Sequence, residues 1–142
     1  MIYFDASYVA RLYVEDPGWE NVRELAARHP VACCLLGRVE VIAAFHRKLR
    51  EDAFTPVQYR QVLAQFELDC EEEAYRWLSL SRDVVARLTK AFESLPKTTF
   101  LRASDAIHLA CAAANELKEI YSNDQRLLAA AHHFGITGVN VV

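Results

Sequence analysis

The stretch LRASDAIHLACAAAN, residues 101–115, carries a lone aspartate into a segment that otherwise belongs in a core. Ala103, Ala106, Ile107, Leu109, Ala110, Cys111, Ala112, Ala113 and Ala114 cover nearly every direction of a helical wheel, the pattern of a helix packed on several sides. Asp105 falls in or near the first turn, with Ser104 beside it as a candidate cap. A carboxylate gains there from unpaired backbone N–H groups, although Ser104 alone would satisfy the helix start. Asp105 therefore has two readings, a capping acid or a metal ligand held on a rigid buried helix. The second requires partners elsewhere in the chain.

Outward from this helix, short apolar runs alternate with helical stretches. Strands are expected at residues 1–4, 31–36, 119–122 and 139–142, and residues 77–80 read either as a short strand or as a loop that tucks apolar groups inward. Helices are expected at 7–15, from Trp19 to about His29, from the turn at Gly37 to about Arg50, and from Pro56, capped by Thr55, to about Glu73. Further helices follow at 81–95 and at 124–134, the last stopped by Gly135. Strands alternating with helices predict a parallel sheet covered on both faces. The 142 residues, 53% of them hydrophobic, suit one domain over 1–142 with a substantial core.

Charge narrows the function classes. Sixteen basic against 19 acidic residues give a net charge of -3, which excludes the strongly basic signature of a general nucleic-acid binder and leaves room for a local basic patch. The cysteines Cys33, Cys34, Cys70 and Cys111 form no C-x-x-C pair, and three lie in core-like segments, as expected of buried thiols in a reducing cytosol. No secretory signal pattern opens the sequence and no apolar run reaches the roughly 18 residues of a membrane span, so a soluble, cytoplasmic protein is expected.

Open parallel sheets place functional groups beyond the carboxyl ends of their strands, and Asp5 and Asp124 fall at such ends. Glu40 sits in the otherwise apolar run 39–45, where an acid meets either a costly burial or a partner. Together with Asp105 these four carboxylates would repel one another in a dry cleft unless a cation neutralised them. Hard oxygen donors favour Mg²⁺ or Mn²⁺ over zinc, and water retained on such an ion is a nucleophile for phosphodiester hydrolysis.

The residues that carry these acids are Y-F-D-A-S at 3–7, continuing as R-L-Y-V-E-D-P-G at 11–18, R-V-E-V at 38–41, L-R-A-S-D-A-I-H-L-A at 101–110, and S-N-D-Q-R-L-L at 122–128. In their order and context they resemble the PIN-domain ribonucleases, particularly VapC-type toxins of toxin–antitoxin pairs. The resemblance implies a three-layer α/β/α fold, RNA cleavage dependent on Mg²⁺ or Mn²⁺, and a metal-binding quartet of Asp5, Glu40, Asp105 and Asp124. It also implies supporting hydroxyls at Ser7 and Ser122, a VapB-like antitoxin partner, and a homodimer. Many relatives carry a hydroxyl residue in the turn before the glutamate, where this chain has Cys34, Leu36 and Gly37, and threonine where it has Ser122. The first of these changes bears on the support around the metal more than on the reaction class.

Arg11, Arg38 and Arg102 lie within a few residues of the acids and are candidates for contacts to the RNA backbone, with solvated or ion-paired side chains as the alternative. His108 follows Asp105 by one helical turn and reads first as a core histidine with a backbone hydrogen bond. A non-catalytic PIN-fold binding or assembly protein is the alternative function class. A receiver-like phosphoacceptor would want adjacent acids after the first strand and a lysine after the last, and the sequence supplies neither.

Overall fold

Three strand formers, Ile2, Tyr3 and Phe4, make up β1 (Ile2–Phe4), the middle strand of the sheet. The computed structural model describes residues 1–142. After β1 come α1 (Ala6–Ala10), α2 (Trp19–Arg28), β2 (Val31–Cys34), α3 (Leu35–Arg50), α4 (Pro56–Glu71), β3 (Tyr75–Leu78) and α5 (Arg82–Ser94). The chain continues through α6 (Ala103–Ala114), β4 (Glu119–Tyr121), α7 (Gln125–Ala130), a 3-10 turn (Ala131–Phe134) and β5 (Thr137–Val139). The sheet has five strands in the order β3-β2-β1-β4-β5, and every pairing is parallel.

Successive strand residues point to opposite faces, and each face finds its own core. Ile2, Phe4, Val31, Cys33 and Tyr75 pack with Tyr8 and Val9 of α1, Val22 of α2, Val41 and Phe45 of α3, and Phe66 of α4. Tyr3, Ala32, Cys34, Leu78 and Ile120 pack with Val84 of α5, Leu109 to Ala112 of α6, and Leu127 and Ala130 of α7. Two helical layers thus cover one sheet, as parallel strands buried on both faces require. Phe45 and Phe66 are fully buried and meet edge to face at 5.8 Å. Each burial contributes about 1.5–3 kcal/mol.

Local signals placed most helix starts. Thr55 and Gln58 form a reciprocal capping box around Pro56, and Ser81 caps α5 through the Val84 N–H. At the start of α6 the expectation is corrected. The helix begins at Ala103 with Arg102 at the cap position and no side-chain cap, so Ser104 lies inside the first turn and Asp105 is the third helical residue.

Strand boundaries moved as well. β2 ends at Cys34, and Leu35 and Leu36 already belong to α3. Gly37 does not turn the chain. It is the third residue of α3, where an added Cβ would lie 2.3 Å from the Cys33 sulfur. The third strand is Tyr75–Leu78 and not residues 77–80, because Tyr75 and Trp77 both turn toward Phe66 of α4. The last strand is Thr137–Val139, after which the Tyr8 hydroxyl donates to Asn140 Oδ1 and accepts the Val141 N–H. All four cysteines are free thiols, and Cys33, Cys34 and Cys111 are buried. No helix is long and apolar enough to cross a membrane.

Candidate active site

The strand order reverses its direction of growth at β1. Helices α1 to α4, which follow β1 and β2, cover one face, whereas α7, which follows β4, covers the other. A crevice opens beyond the carboxyl ends of β1 and β4, the place where open α/β sheets bind ligands. It is a cavity of about 390 Å³, lined among others by Asp5, Glu40, Asp105 and Asp124. All four sequence-selected acids therefore reach one space.

Asp5 enters it as the cap of α1. Its Oδ1 accepts the Tyr8 N–H at 2.9 Å and lies 2.7 Å from the Ser7 hydroxyl, and its Oδ2 accepts the Ser122 hydroxyl. Parallel pairing of β1 with β4 sets this up: Phe4 pairs with Tyr121, and the next residues on each strand are Asp5 and Ser122. Burial pushes the Asp5 carboxyl above its ordinary range, against the hydrogen bonds from Ser122, Ser7 and Tyr8 and the influence of His108. The Ser122 hydroxyl also accepts the Asp124 N–H at 3.0 Å, so one side chain ties two of the acids together. Asp124 caps α7, accepting the Arg126 and Leu127 N–H groups on Oδ1 and leaving Oδ2 for the cavity side.

Arg102 spans the other side. Its Nε donates to Asp105 Oδ2 at 2.8 Å and its Nη2 donates to Asp124 Oδ2. Glu40 is held differently, by His108. The His108 Nε2–H donates to Glu40 Oε2 at 2.7 Å, and the other ring nitrogen lies 2.8 Å from the Tyr3 hydroxyl, whose oxygen accepts the Cys34 N–H at 3.0 Å. His108 makes no backbone hydrogen bond of the kind expected from the sequence. It is 2% exposed, and contacts with Cys34 and Glu40 raise its pKa to about 10 despite burial, which acts the other way. A chain of bonds from strand β2 through Tyr3 of β1 and His108 of α6 thus positions Glu40 of α3.

The remaining sequence candidates separate. Ser7 and Ser122 both touch Asp5. Arg11 lines the cavity, but its guanidinium is turned to the Pro17 and Ser7 carbonyls. Arg38 lies outside the cavity, paired with Glu67 on α4. Sequence reasoning missed Arg47 and Lys48, which also line the cavity. Their signal was present: Arg47 follows Glu40 by seven residues, two turns along the same face of α3.

The donor set suits a hard divalent cation. Four carboxylates from four elements face one cavity, and the only cationic side chain bridging two of them, Arg102, is half exposed. Their oxygens are not drawn into a tight cluster; the one compact group of metal-binding atoms is Cys33, Cys34 and His108.

A family model described as PIN domain matches residues 2–133. No curated protein matches the sequence. Among solved structures, the chain is similar to FitAcB from Neisseria gonorrhoeae, with 16% identity, a TM-score of 0.78, and coverage of 99% of this chain and 98% of that one. It is also similar to VapBC2 from Rickettsia felis, solved bound to a DNA fragment from its promoter, with 13% identity, a TM-score of 0.68, and coverage of 99% and 98%. A toxin-antitoxin complex from Klebsiella pneumoniae matches with 17% identity, a TM-score of 0.66, and coverage of 100% and 98%. At these identities the likeness is one of fold.

Proposed function

The chain belongs to the PIN domain family, and from that premise we propose that it is a metal-dependent endoribonuclease, the toxin of a VapBC-type pair. The observation that carries the proposal is the convergence of Asp5, Glu40, Asp105 and Asp124 on one cavity at the switch point of the sheet. These acids would hold Mg²⁺ or Mn²⁺. Such an ion, when bound, lowers the pKa of water and stabilises charge that develops on a phosphodiester.

The chain's own groups do the rest. Ser7 and Ser122 fix the rotamer of Asp5, and His108 fixes that of Glu40. Asp5 and Asp124, both lining the cavity, are the carboxylates placed to help take the proton of an attacking water. Arg47 and Lys48 give one wall of the cavity a positive lining for the RNA backbone, and Arg102 can join them once it leaves the acids. Lys48 is now paired with Asp16, a contact that phosphate can replace.

A partner protein of the antitoxin kind belongs to the same reading, supported by the fold shared with a solved toxin-antitoxin complex. A homodimer, expected from the family resemblance, belongs to it as well. The test is cleavage of a mixed RNA pool by the wild-type chain and by Asp105→Asn, each with Mg²⁺, Mn²⁺ or EDTA. The expected result is cleavage by the wild type with metal only, and at least a hundredfold loss in the folded variant, about 2.7 kcal/mol of barrier. Metal-independent cleavage, or full activity in the variant, would refute the assignment.

A further inference from the structure

Behind the carboxylate cavity lies a second group of ligating atoms with different chemistry. The sulfurs of Cys33 and Cys34 and a ring nitrogen of His108 lie within 4.8 Å of one another, and all three residues are buried. Cys34 Sγ is 3.5 Å from His108 Nδ1. An ion held by one thiolate and one imidazole at about 2.3 Å and about 2.05 Å, with a tetrahedral angle between them, needs a sulfur-to-nitrogen separation of about 3.6 Å. The Cys34–His108 pair, in hydrogen-bond contact, already has the spacing that a bound ion would need.

The ring is oriented for the task. With Nε2–H donating to Glu40, Nδ1 is the nitrogen that faces the Cys34 sulfur, and it becomes a ligand once an ion displaces its proton. Carboxylate–histidine pairs of this kind fix the tautomer of metal-binding imidazoles. An ion would replace the contacts of Nδ1 with the Tyr3 hydroxyl and with the Cys34 sulfur, and the Tyr3 oxygen would keep the Cys34 N–H. Cys33 and His108 hold the Cys34 thiol below its ordinary range, which favours its thiolate, while burial holds the Cys33 thiol above its own, so Cys33 gives up its proton only to an ion. Gly37 leaves the space that the Cys33 sulfur occupies. His108 also lines the open cavity, which gives an ion a way in.

We propose that Cys33, Cys34 and His108 form a binding site for a soft cation of the Zn²⁺ or Cu⁺ class, linked to the carboxylate cavity through Glu40. Thiolate and imidazole ligands select such ions over Mg²⁺. As the ion binds, the protons shared among the two sulfurs and Nδ1 leave to solvent, and no electron is transferred. Occupancy would lock the ring that positions Glu40, so the state of the thiol site would set the freedom of one acid in the cavity.

The test uses the full chain, reduced and stripped of metal, in excess Mg²⁺ to fill the carboxylate cavity. Co²⁺ is added as a spectroscopic probe, and Zn²⁺ and Cu⁺ are titrated in separate arms against a chelator selective for each. The expected result is one equivalent bound with a thiolate-to-cobalt charge-transfer band in the near ultraviolet. The band should persist in Asp105→Asn and Asp124→Asn and vanish in Cys34→Ser, with Cys33→Ser as the second variant and circular dichroism as the check on folding. Whichever chelator arm retains metal identifies the ion. Cobalt bound without the band, or binding lost in the acid variants and kept in the folded cysteine variants, would place the ion among the carboxylates and overturn the proposal. No ion held more tightly by the wild type than by the cysteine variants would overturn it equally. Neither result depends on RNA cleavage.

Discussion

Replacing Arg102 by alanine should tighten divalent metal binding. The guanidinium joins Asp105 to Asp124, so a cation entering between these acids must first displace it. Arg102 is 49% exposed, against 10% for Asp105 and 31% for Asp124, so each ion pair is largely screened by solvent. At about 0.2–1 kcal/mol per exposed pair, the two together oppose a cation by roughly 0.5–2 kcal/mol. With about 1.4 kcal/mol per tenfold, Arg102→Ala should bind Mn²⁺ about two- to 25-fold more tightly. Isothermal titration at low and high salt measures this directly, and the gap should narrow as salt screens the pairs. Arg102→Lys keeps the charge and loses the two-armed reach, so it should fall between. Equal or weaker Mn²⁺ binding by Arg102→Ala would refute the competition and make the arginine an organiser of the acids instead.

Three other outcomes follow from the same geometry. Burial raises the Asp5 carboxyl above its ordinary value of 3.8, so the native state holds that proton more tightly than the unfolded chain, and stability is lost as pH rises from that ordinary value through the raised one. In EDTA, Asp5→Asn should therefore melt above the wild type at neutral pH, with the advantage shrinking toward pH 4; a pH-independent difference would contradict this. Gly37→Ala sets a methyl 2.3 Å from the Cys33 sulfur and should cost about 1–3 kcal/mol in urea unfolding, whereas a neutral result would show that the sulfur moves freely. Tyr3→Phe leaves the buried Cys34 N–H without its acceptor and should cost about 1–3 kcal/mol while loosening Glu40, seen as reduced cleavage with unchanged RNA binding.

Much of this was legible in the residues, for reasons that can be named. Asp5 ends a short apolar run and Asp124 follows one after Ser122 and Asn123, and an acid in that position needs either a cap or a ligand; both serve as helix caps while facing the cavity. Glu40 stood out because its neighbours are apolar. The role of His108 did not, because its partner Glu40 is 68 positions away and nothing local announces it. Arg38 was close to Glu40 in sequence, yet two residues turn a helix by about 200°, and its side chain emerges toward α4. The start of β3 was hidden by Arg76, an exposed residue between two aromatics that share one face. Its alternation becomes readable only once Phe66 is known to lie opposite.

The hydrogen bond from Ser122 to Asp5 joins residues 117 positions apart, across the pairing of the first strand with the fourth. Closing so long a loop costs entropy before any contact repays it, which makes this pairing a late step in assembly. A growing chain that has made only β1, β2 and β3 contains Asp5 and Glu40, but it lacks Ser122 and His108, which position them, as well as Asp105 and Asp124. Incomplete chains would therefore leave the acid set unfinished, and the protein would gain its chemistry only after nearly all of its sequence had been made.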